Sequence, residues 1–172
     1  MPMIFNGSGS ITGLSAGGLP DGSVQQTDLA AGVTGNGPAF AASGSSTVLT
    51  NSVMTAITFS AEISDTSDCF DPATGRFTPT VAGYYMFSGS INFGPTGTAG
   101  KGAALQKHPI GTGFAQAYFS TGDTGPWEGI SLSGLTYLNG TTDYVILCGY
   151  IASGGPATVA DANFSGFLAR SA

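Results

Sequence analysis

A hydrolase built on a Ser/His/Asp set needs an imidazole to take the proton, and the chain offers one histidine, His108, in Leu105-Gln-Lys-His-Pro-Ile110. No Gly-x-Ser-x-Gly elbow precedes a helical stretch, so His108 reads as a surface-loop residue. The carboxylates fall into two groups. Glu62, Asp65, Asp68 and Asp71 have the chemistry for glycoside hydrolysis or calcium binding. Ser67 and Cys69, however, stand where an alternating ligand loop needs oxygens, and Asp71-Pro72 has the chemistry of a turn. The second group lies in Gly122-Asp-Thr-Gly-Pro-Trp-Glu-Gly129, which also holds the only tryptophan. An aromatic beside two acids on a loop makes Asp123, Trp127 and Glu128 the candidate contacts for a receptor or partner, sugar or protein. Trp127 fits better still as a plug closing the end of a sandwich. Gly94-Pro-Thr-Gly-Thr-Ala-Gly-Lys-Gly102 imitates a phosphate loop but has Gly102 where Ser or Thr should bind, and no helix follows; it reads as a loop between strands. Cys69 and Cys148 have no Cys or His at ligand spacing and read as reduced thiols of a cytosolic product. The expectation is no catalytic residue, no cofactor and no metal.

Composition narrows the partners. Of 172 residues only four are basic and ten acidic, the net charge is −6, and 41% are hydrophobic. By surface scaling a monomer of this mass exposes roughly 7,700 Å², or about one charge per 550 Å², far sparser than an ordinary solitary surface. Either partner subunits cover much of it, or neutral Ser, Thr, Gly and Asn groups keep it soluble. Arg76, Lys101, Lys107 and Arg170 are too few to hold a nucleic acid against a repulsive field. Membrane insertion is not expected: the uncharged run from Phe77 to Gly100 is broken by Pro79, Gly83, Gly89, Gly94 and Pro95. The opening Met1-Pro-Met-Ile-Phe-Asn has no basic region and does not read as a secretory signal.

The elements that must position these residues are strands. Short runs rich in Val, Ile, Thr, Tyr and Phe lie between frequent Gly and Pro, the pattern of an antiparallel sandwich. Tyr85, Phe87, Gly89, Ile91 and Phe93 alternate with Tyr84, Met86, Ser88, Ser90 and Asn92, a half-buried strand. Val53 to Ile63 alternates in the same way. Further strands are expected at Ile130 to Ser133, Leu135 to Leu138, Tyr144 to Ile151 and Ala162 to Leu168. Tyr144 to Ile151 is apolar on both faces and predicts two covers, the opposing sheet and a neighbouring subunit. Thr27 to Gly32 predicts a turn or two of helix. Composition shifts at Gly35-Asn-Gly-Pro38, which divides an N-terminal arm, residues 1–36, from a domain, residues 37–172. The arm's scattered Ile4, Phe5, Ile11, Leu14 and Leu19 cannot form a core and must dock elsewhere.

The stretch Phe70-Asp-Pro-Ala-Thr-Gly-Arg-Phe-Thr-Pro-Thr-Val-Ala-Gly-Tyr-Tyr-Met-Phe87 resembles the signature of the globular head of complement component one-q and its tumour-necrosis-factor-like relatives. Pro38-Ala-Phe40 is similar to that family's opening strand, and Asn163-Phe-Ser-Gly-Phe-Leu168 to its closing one. The middle, residues 94–130, does not match, so no loop-borne binding residue carries over. The resemblance implies an all-β, antiparallel jelly-roll sandwich of eight to ten strands in a homotrimer. Tyr85, Phe87, Ile91, Phe93, Tyr144, Ile146, Tyr150, Phe164 and Phe167 are then the residues of core or trimer packing. No collagen-like repeat precedes the head. Instead Ile11 to Val24 and Thr27 to Val33 resemble the start of tailed-bacteriophage virion proteins. That implies a non-enzymatic virion protein made in the host cytoplasm, a trimeric fibre or appendage docked on other virion proteins through Ile4, Phe5, Ile11, Leu14 and Leu19. Its head would face a host-surface glycan or protein. A capsid decoration protein is the alternative, and a secreted lectin-like module a further one.

Overall fold

The computed structural model describes residues 4–5, 11–12, 37–94, 100–120, 128–152 and 156–172. The chain divides into two units, Met1–Ala30 and Ala31–Ala172. In the first, β1 (Ile4–Phe5) pairs antiparallel with β2 (Ile11–Thr12), setting Phe5 opposite Ile11. The expected helical turn at Thr27 to Gly32, and Leu14 and Leu19, lie outside the described residues.

The second unit is all-β among its described residues, as the sequence pattern predicts. Its strands are β3 (Ala39–Ser43), β4 (Val48–Leu49), β5 (Thr55–Ala56), β6 (Ala61–Asp65), β7 (Phe70–Asp71) and β8 (Arg76–Phe77). The longer ones follow: β9 (Gly83–Phe93), β10 (Gly100–His108), β11 (Thr112–Ser120), β12 (Glu128–Leu138), β13 (Tyr144–Ala152) and β14 (Ala157–Ser171). They form two antiparallel sheets. One runs β12-β9-β14-β3-β6 with β4 beside β14; the other runs β11-β10-β13-β8-β7 with β5 beside β13. Neighbours in space are remote in sequence, as when β14 pairs with both β9 and β3, the signature of a jelly roll.

β9 shows why these residues make strands. Its odd positions, Tyr85, Phe87, Ile91 and Phe93, are fully buried, while the even ones are exposed or half-buried, so the period of two in the sequence is the period of the pleat. Between the sheets Phe40, Phe59, Phe70, Phe77, Phe87 and Phe164 form one aromatic cluster. Phe40 stacks on Phe70 and Phe77 at 4.5 and 4.6 Å and meets Phe164 edge-on at 4.9 Å. Glycine is required where rings come closest: a Cβ at Gly134 would lie 2.9 Å from the Phe114 ring, and one at Gly166 would strike Phe87 and Phe40.

Several strands differ from the sequence expectation. The run Val53 to Ile63 is two strands, because the chain crosses the core there: β5 pairs with β13 in one sheet and β6 with β3 in the other. Ile57 and Phe59 are buried at the crossing. Ile130 to Ser133 and Leu135 to Leu138 are one strand, in unbroken register with β9 through Gly134. β10 and β11 were not expected at all. Gly100-Lys-Gly-Ala-Ala-Leu105 has low strand propensity, but Ala103 and Leu105 are fully buried, and packing decides. On the reverse side of Tyr144 to Ile151, Tyr144 and Tyr150 are half-buried. Ile146 and Cys148 are buried within the single chain although they lie outside the core cluster, and the Cys148 thiol donates to Gln106 Oε1 at 3.5 Å.

Candidate functional surface

Register assembles a surface on the outer face of the β12-β9-β14-β3 sheet. Leu135 lies opposite Met86, Met86 opposite Phe167, and Phe167 opposite Ala39, so four strands contribute one apolar row. The adjoining pair is Tyr137 and Tyr84, in edge contact at 5.6 Å. Leu135, Phe167, Tyr84 and Tyr137 remain 55%, 52%, 47% and 39% exposed. Exposed side chains of this size, contiguous across strands, mark an interaction site rather than ordinary scatter. Lys107 Nζ, donating to the Tyr137 carbonyl at 2.8 Å and paired with Asp143 at 2.8 Å, secures the end of β12 beneath it.

Farther along the same face the rows turn small and polar: Ser133, Ser88, Ser165 and Ala41, then Ser131, Ser90, Asn163 and Ser43. Ser88, Ser90, Ser131, Asn163, Ser165 and Ala41 of these rows line a shallow basin of about 360 Å³ edged by Ile63 of β6. The face thus carries an apolar half and a hydroxyl half, with Arg170 of β14 opposite Tyr84 at the apolar end.

The residues singled out for packing separate into three places. Tyr85, Phe87, Ile91, Phe93 and Phe164 are core. Tyr144, Ile146 and Tyr150 lie on β13 with side chains directed away from that core, and Phe167 is on the exposed apolar row. Tyr85 keeps a polar handle: its hydroxyl donates to the Val81 carbonyl at 2.8 Å, and burial pushes its pKa up. Sequence reasoning picked Phe167 but passed over Tyr84, Met86, Leu135 and Tyr137. The signal was present, since large apolar residues at even positions of β9 and odd positions of β12 break the polar alternation.

Asp123 and Trp127 lie outside the described residues. Glu128 opens β12 and forms an ion pair with Lys101 Nζ at 2.5 Å; Lys101 is only 2% exposed and Glu128 18%. This pair joins the two sheets. The other carboxylates hold turns. Asp65 accepts backbone N–H bonds from Ser67, Cys69 and Phe70, and Asp71 accepts from Ala73 N and from the Thr74 hydroxyl at 2.7 Å. The Thr74 bond leads in holding the Asp71 carboxyl below its ordinary value. Both cysteines are free and buried, and burial raises both thiols, Cys148 to about 12, which leaves neither a ready nucleophile. His108 is not in a loop. It ends β10, half-buried, with its ring stacked on Tyr144 at 4.9 Å.

Comparison with known proteins agrees with this geometry. The model of the C1q domain family matches residues 39–169. The globular domain of zebrafish complement 1qA protein superposes with a TM-score of 0.55 at 23% identity, covering 78% of this chain and 99% of that one. Murine APRIL superposes at 0.53 and 10% identity, covering 74% and 98%. No curated protein matches the chain.

Proposed function

We propose a function from one premise: the chain belongs to the C1q domain family. Domains of the C1q and tumour-necrosis-factor type are generally non-enzymatic binding modules and commonly form homotrimers. In this chain the observation that carries the reading is the apolar row Leu135, Met86, Phe167 with Tyr84 and Tyr137, left uncovered on the outer face of the sheet. Two further copies of the chain are the covers that such a row asks for, and they also account for a surface with so few charges. The protein is a homotrimeric structural module whose three heads meet through the β12-β9-β14 face.

The finer reading places the trimer on a tailed-bacteriophage particle. The support is the likeness of residues 11–33 to the opening of such virion proteins, together with a Gly- and Ser-rich arm poor in apolar residues. The arm docks on tail or capsid, and the head displays its loops, Asp123 and Trp127 among them, to the host surface. Three weak contacts then act together through avidity. Deleting residues 1–36 tests the division of labour. The shortened protein should remain trimeric with nearly unchanged melting, while incorporation into particles is lost. Incorporation unimpaired by the deletion would end the docking role, and an unfolded head would make the arm an integral part of the fold.

A further inference from the structure

At the end of the second sheet a stack of three side chains has no part in the apolar row. His108 lies parallel to Tyr144, with centroids 4.9 Å apart and planes 7° apart, and Arg76 places its guanidinium 4.6 Å from the centre of the Tyr144 ring. The stack spans three neighbouring strands, since His108 is opposite Tyr144 in register and Arg76 opposite Ile146. It sits at the foot of the β10–β11 hairpin, whose tip carries the 75%-exposed Ile110. Gly111 of the tip closes over it: a Cβ there would lie 3.6 Å from His108 Cε1.

His108 Nε2 is enclosed and has no hydrogen-bond partner. An imidazolium must donate from both nitrogens, so protonation in this setting buries an unmet N–H. The ionisable groups around it add no compensation. Arg76, from β8, is a cation. Tyr144, from β13, meets the imidazole with its ring face. Lys107, next along β10, is a cation whose charge is taken by Asp143 at 2.8 Å, and Asp71 lies opposite Arg76 rather than His108.

We propose that the foot of the β10–β11 hairpin is an acid-sensitive joint, closed by neutral His108 stacked on Tyr144 and opened when the imidazolium is repelled by Arg76 and left without an acceptor. Burial first and Arg76 second also hold this imidazole below its ordinary 6.5. The closed state therefore binds the proton less readily than an opened one. Closure is at full strength above pH 6.5 and weakens as pH falls through the window beneath it.

Because His108 is the only histidine, its Cε1 proton gives an NMR signal that needs no assignment. Titration of the full chain should give a midpoint below 6.5. Amide exchange at 107–113 and 143–145, corrected for intrinsic rates, should rise several-fold between pH 7.5 and 5.5. His108→Phe keeps an aromatic stack that cannot titrate, and should abolish that rise. A midpoint at or above 6.5 overturns the proposal, as does the same acid response in His108→Phe. Should that variant fail to fold, the wild-type midpoint alone decides.

Discussion

Phe87 is the residue on which the core turns, fully buried and in ring contact with Phe40, Phe77, Tyr85, Phe114 and Phe164. Truncating such a side chain removes its transfer free energy and leaves a cavity that rings on several sides cannot all relax into. Phe87→Ala should cost roughly 3–5 kcal/mol in urea unfolding. A cost below about 1 kcal/mol would mean that the site collapses freely. The buried side of β9 was legible in the sequence because alternation fixes which residues point inward. The fate of single polar residues was not. His108 followed by proline has the local look of a loop, and only long-range pairing with Tyr144 makes it the end of a strand. The carboxylate of Asp71 was partly legible, as Asp-Pro announces a turn, whereas the amides that Asp65 accepts from depend on the folded loop.

At the scale of elements, β9, β13 and the core of β14 could be read from composition and period. β10 and β11 could not, since Gly and Ala say nothing of where a chain must pass closely beneath its neighbours. The inter-sheet ion pair belongs to this class. Lys101 follows one connection and Glu128 another, 27 residues apart, and no spacing rule joins them. Its energetics are asymmetric. Glu128→Gln leaves an ammonium buried without its counter-charge, a loss of about 3–5 kcal/mol for a fully enclosed pair. Lys101→Met leaves the carboxylate, which retains some contact with water, beside an apolar chain of similar length. Glu128→Gln should therefore be the more damaging variant in chemical denaturation, and equal or reversed effects would show that the pair does not hold the sheets together.

For the whole molecule, the jelly roll was legible from three separated motifs in order, Pro38-Ala-Phe40, Phe70 to Phe87 and Asn163 to Leu168. In the fold they are adjacent: β3, β9 and β14 are neighbours in one sheet. The outer face of that sheet was the harder part. Leu135 is only part of an expected strand, and Tyr84 part of the polar side of another, until the register sets them on one face that a partner can cover. The most direct test of the account is the mass in solution of the wild-type chain beside Phe167→Asp, which sets a charge in the middle of the apolar row without touching the buried side of β14. Light scattering should give about 51 kDa for the wild type, three times the 17.1 kDa chain, and 17 kDa for the variant with its β-sheet spectrum intact. A wild-type monomer, or a Phe167→Asp protein that stays at 51 kDa, would contradict the assignment of this face as the one through which the three copies meet.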